Sequence, residues 1–72
     1  MTPNQQPKAK NLKLALQKAN LYNYEFAELM GVSTTTVANW TTGRKGITQR
    51  NRRKMIKIIT KLAGEEVAAE LF

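Results

Sequence analysis

Cysteine and histidine are both missing from this 72-residue chain, which excludes disulfide staples, thiolate nucleophiles and the usual transition-metal ligands. Proline occurs only at Pro3 and Pro7, and no apolar run approaches the roughly 20 residues needed to span a bilayer. The N-terminus also lacks the apolar segment of a secretory signal, so a cytoplasmic protein with no membrane partner is expected. One domain of this size buries only roughly 60% of its unfolded-chain surface, leaving no room for a deep pocket beside the core. The expectation is therefore a protein without catalytic residues, cofactor, metal or small-molecule substrate.

What the chain does contain is positive charge. Twelve Lys and Arg against five Glu give a net charge of +7 and a pI near 10.2, which favours an anionic partner. Eight of the twelve cations, from Arg44 to Lys61, fall in one stretch, whereas Glu65, Glu66 and Glu70 close the chain. A basic middle and an acidic tail point to two surfaces with different partners.

Residues 1–7 read as a polar flexible arm and residues 8–72 as an all-α domain, a compact bundle of four to five helices. Leu12, Ala15, Leu16 and Ala19 recur at helical spacing and predict a first helix over residues 8–20. Tyr22 or Asn23 caps a second helix that runs to Met30, carries Phe26, Leu29 and Met30 as core positions, and is stopped by Gly31. Ser33 is a strong N-cap for a third helix over about residues 34–42, with Val37 and Trp40 facing inward and Gly43 ending it. Three successive threonines form helix poorly, so packing must hold this segment. After a basic loop, Thr48 caps a fourth helix that runs to Ala63 and Gly64. Met55, Ile58, Ile59 and Leu62 share one arc of it, while Arg50, Arg53, Lys54, Lys57 and Lys61 cluster opposite. Residues 65–72 predict a last short helix with Val67, Ala68, Leu71 and Phe72 as apolar positions.

Two short helices that cross tightly need a small residue at the approach, a glycine in the turn and an apolar residue facing back; Ala27, Gly31 and Val37 meet those needs. The run Phe26-Ala27-Glu28-Leu29-Met30-Gly31-Val32-Ser33, followed by Val37-Ala38-Asn39-Trp40-Thr41-Thr42-Gly43, resembles the lambda-repressor-like helix-turn-helix domains of phage repressors, Cro proteins and related bacterial regulators. The resemblance covers residues 12–64. It implies a recognition helix in the major groove of operator DNA, with Thr34, Thr35, Ala38 and Asn39 facing the bases. Threonine can meet a base edge or a thymine methyl, and Asn39 can pair bidentately with adenine. The resemblance further implies phosphate contacts from Asn23, Thr42, Arg44, Lys45, Thr48, Gln49 and Arg50, and contacts of Lys8 and Lys10 along the backbone or in a minor groove. It also implies a transcriptional regulator in a bacterial cytoplasm, such as a phage genetic switch would use. A homodimer formed on DNA fits the symmetry of that class.

Plainer readings stand beside these. Trp40 is a core residue rather than a base-stacking one, and Glu25 with Glu28 are helix-start charges rather than a catalytic pair. The stripe on the fourth helix is either a solvated face or a set of phosphate contacts, with Arg44 and Lys45 the better-placed cations. Leu71 and Phe72 are either a satellite of the core or half of an interface. The competing function is that of a modulator or antirepressor, which binds a partner repressor protein and shifts its DNA occupancy.

Overall fold

A computed structural model describes residues 9–71, and the predicted arm and Lys8 lie outside those residues, as does Phe72. Five helices follow in order: α1 (Ala9–Lys18), α2 (Asn23–Met30), α3 (Thr34–Thr41), α4 (Gln49–Ala63) and α5 (Glu65–Ala69). No strand occurs among the described residues. The radius of gyration, 10.7 Å, is close to the about 11 Å expected of a folded chain this size.

One helix-ending device recurs three times. After α1 the N–H of Leu21 donates to the Leu16 carbonyl and that of Asn20 to the Gln17 carbonyl, with Asn20 at φ 59°. After α2 the same pair of bonds runs from Val32 to Ala27 and from Gly31 to Glu28, and after α3 from Arg44 to Asn39 and from Gly43 to Trp40. Each satisfies two carbonyls that a helix end leaves without partners, and each needs a residue that accepts the left-handed conformation. Gly31 at φ 71° and Gly43 at φ 77° have no side chain to resist it, and asparagine tolerates it. The first helix thus ends at Lys18 rather than at residue 20, because Asn20 serves as its terminator.

The starts are equally specific. Ser33 Oγ accepts the Thr36 N–H at 3.1 Å and Thr48 Oγ1 accepts the Asn51 N–H at 3.3 Å, so both expected N-caps form. At α2 the Tyr22 N–H donates to Glu25 Oε1 at 2.9 Å, a carboxylate placed well for the helix dipole.

Among the described residues thirteen buried apolar side chains make a single core, from Leu12, Ala15 and Leu16 on α1 through Phe26, Ala27, Met30, Val37 and Trp40 to Met55, Ile59, Ala68 and Leu71. Ile47 completes it from the loop before α4, which anchors a segment that sequence reading treats as merely basic. Leu71 is fully buried inside its own chain and so belongs to the core, not to an interface. Leu29 departs from expectation: at ~100° per residue it falls roughly 110° from the centre of the arc of Phe26, Ala27 and Met30, and it is 47% exposed. Leu62 is equally exposed, since the C-terminal segment buries Ala68 and Leu71 without covering it. No helix among the described residues is long and apolar enough to cross a membrane.

Candidate nucleic-acid interface

Helices α2 and α3 pack on each other across the three-residue turn Gly31-Val32-Ser33. Ala27 lies buried on α2, Val37 and Trp40 on α3, and Val32 packs against the same core. The turn is held from a third helix as well. Lys54 Nζ on α4 donates to the Met30 carbonyl at 3.1 Å, a cation on the negative end of α2. Sequence reading places Lys54 with the free cations of α4, whereas its ammonium is committed to this turn.

With Val37 and Trp40 pinned inward, the opposite face of α3 is fixed. At ~100° per residue, Thr34, Thr35, Ala38, Asn39 and Thr42 span an arc of about 140° centred away from the two buried residues. Thr34 and Thr35 are exposed, and Ala38 and Asn39 are half-buried. All four sequence-predicted base-contact residues therefore share one outward face.

Hydrogen bonding divides the polar groups of this helix into two sets. Ser33 and Thr36 share a bond between their hydroxyl oxygens at 2.9 Å. Thr41 Oγ1 donates to the Ala38 carbonyl at 3.1 Å, and Thr42 Oγ1 to the same carbonyl at 2.9 Å. The hydroxyls of Thr34 and Thr35 and the amide of Asn39 have no hydrogen-bond partner among the described residues. These three are the groups that remain able to pair with a ligand without breaking a bond within the chain. Thr42, by contrast, must give up its bond to Ala38 before its proton can reach a phosphate.

The predicted phosphate set is spread over four places. Asn23 is the first residue of α2 and is half-buried. Arg44 and Lys45 follow α3 directly, because both of their backbone N–H groups donate to the Asn39 carbonyl, at 2.9 and 3.4 Å. Their exposed side chains meet no carboxylate among the described residues. Thr48, Gln49 and Arg50 form the exposed start of α4. The Thr48 hydroxyl accepts the Asn51 N–H and keeps its own proton to donate. Thr42 closes α3, where it sits beside the Gly43 turn. Lys10 is exposed on α1, away from α3 in the chain.

Charge reinforces this division of the surface. Between Glu28 and Glu65 the sequence has no carboxylate side chain and eight cations, all of them from Arg44 onward, so α3 itself is uncharged and the positive charge begins just beyond its C-terminus. No group of three or more residues suited to holding a metal ion occurs among the described residues. Comparison of the chain with protein-family models, with curated proteins and with solved structures finds no match.

Proposed function

We propose that this chain is a small sequence-specific DNA-binding regulator, in which α2 and α3 act as a helix-turn-helix of the lambda-repressor-like kind and α3 enters the major groove of an operator. The observation that carries this reading is the set of unbonded polar groups on α3. A run of threonines costs helix stability, yet only the hydroxyls of Ser33, Thr36, Thr41 and Thr42 return any of it through local bonds. Thr34, Thr35 and Asn39 offer donors and acceptors outward, of the types that match base edges. Ala38 between them presents a methyl to a thymine methyl. Arg44, Lys45 and the starts of α2 and α4 supply phosphate contacts that set register.

The test is selection of bound duplexes from a random pool, followed by fluorescence anisotropy over a range of salt. Enrichment of a short motif, with affinity falling steeply as salt rises, is the expected result. Binding that is absent at low ionic strength, or insensitive to salt, would overturn the proposal.

A second reading is favoured by one surface feature. Tyr22 and Tyr24 stack on each other with ring centroids 5.8 Å apart, yet are 71% and 59% exposed, and Leu29 is exposed on the same helix. Such rings are common anchors at protein interfaces, which keeps a modulator of a partner repressor in view. Replacement of both tyrosines by serine separates the two: it should leave operator binding intact and abolish any complex with a partner.

A further inference from the structure

The outward face of α4 is built in a way that helix stability does not explain. Arg50, Arg53, Lys57 and Lys61 lie three, four and four residues apart, and on a helical wheel they fall within an arc of about 80°. All four are exposed, and none meets a carboxylate among the described residues. Like charges three or four apart on a helix repel each other. Cations in the first turn also oppose the helix dipole, and α4 begins with Arg50 and Arg52 and has no acidic residue there. Solubility does not require this pattern, because a surface of interspersed signs serves it better. The ammonium of Lys54 is already engaged at the α2 terminus, so the free charges form a line of four rather than a diffuse cluster.

The apolar side of the same helix is already spent on the core through the fully buried Met55 and Ile59. The stripe has no aromatic or aliphatic residue between its cations to enter a lipid layer, which disfavours a membrane. Its length fits a polyphosphate chain instead. From Arg50 to Lys61 the helix advances about 16 Å, a distance over which a duplex rises by about five base pairs. Gln49, Arg50, Arg53, Lys54 and Lys57 line an open groove along this face.

We infer that Arg53, Lys57 and Lys61 extend the phosphate contact begun at Arg50 into a rail, which grips duplex backbone without regard to sequence. The inference rests on the reading of this chain as a DNA-binding protein but uses residues that take no part in base recognition. Counterion release makes the rail measurable: each phosphate contact contributes about 0.9 to the slope of log affinity against log salt. The rail raises affinity for every duplex and leaves discrimination to α3.

The test compares the wild type with the triple substitution Arg53→Gln, Lys57→Gln, Lys61→Gln, on the selected duplex and on a scrambled one. The expected slope is shallower by about 2.7 on both duplexes, with an unchanged ratio between them. The charge-preserving variant Arg53→Lys, Lys57→Arg, Lys61→Arg should keep the wild-type slope, and all variants should keep the wild-type far-UV circular dichroism. An unchanged slope, with motif preference intact, overturns the rail and leaves the α3 reading standing. A shallower slope in a protein without motif preference supports the rail and overturns that reading. Loss of binding to phosphatidylserine vesicles with no change on DNA would assign the stripe to a membrane surface and overturn the inference.

Discussion

Replacing Gly31 by alanine perturbs one backbone angle and almost nothing else. The residue sits at φ 71°, and a methyl group there would lie 3.6 Å from Lys54 Nζ, an ordinary contact with the end of a flexible side chain. No overpacking enters the balance. The left-handed conformation costs an L-residue roughly 1–2 kcal/mol, and the stiffer unfolded chain returns about 0.4–1 kcal/mol. The net is a loss of about 1 kcal/mol, or a fall in Tm of roughly 4–8 °C for a domain of this size. Thermal melts followed by far-UV circular dichroism should rank the position as Gly31, then asparagine, then alanine, then valine, because asparagine tolerates this region and a β-branched side chain does not. If the alanine variant melts at or above the wild-type temperature, the turn between α2 and α3 does not need a left-handed residue, and the reasoning fails.

Ser33→Ala removes the acceptor for the Thr36 N–H and should cost about 1 kcal/mol in urea unfolding, whereas Ser33→Asp should keep most of that stability. Trp40→Ala empties the position that pins α3 to the core, at about 3–5 kcal/mol; this is comparable to the whole stability of so small a domain, so the variant should be largely unfolded in calorimetry. Lys54→Met keeps the aliphatic stem but loses the bond to the Met30 carbonyl, and its urea midpoint should fall by the equivalent of about 1–2 kcal/mol. Arg53→Met, on the exposed side of the same helix, should leave that midpoint nearly unchanged.

Helix starts and the inward faces are legible in the sequence because they depend on near neighbours. Ser33 and Thr48 cap the helices that their positions announce, and Val37 with Trp40 fix the outward set on α3 by spacing alone. What local pattern does not carry is the partner chosen by a residue with two options. Asn20 falls inside the span predicted for α1 yet terminates the helix in space, a role that its tolerance of positive φ could have suggested. Lys54 matches its cationic neighbours in composition and differs only because α2 ends within reach of it. Ile47 stands out as the one large apolar residue in a basic loop, a signal for burial that charge had obscured. Leu62 satisfies a helical period, but burial also needs a neighbouring element to cover the face, and tertiary packing supplies none there. The bond from Thr42 to the Ala38 carbonyl is likewise invisible to residue type, since a threonine hydroxyl serves its own helix as readily as a phosphate.

The central claim is that the free groups on α3, and Asn39 above all, read bases. Its most direct test is the affinity of Asn39→Ala for the selected duplex and for a scrambled duplex of the same length and composition, at one fixed salt concentration. The expected result is a loss of about 1–3 kcal/mol on the selected duplex alone, with scrambled binding unchanged. Equal weakening of both duplexes, or full retention of the preference, would contradict it.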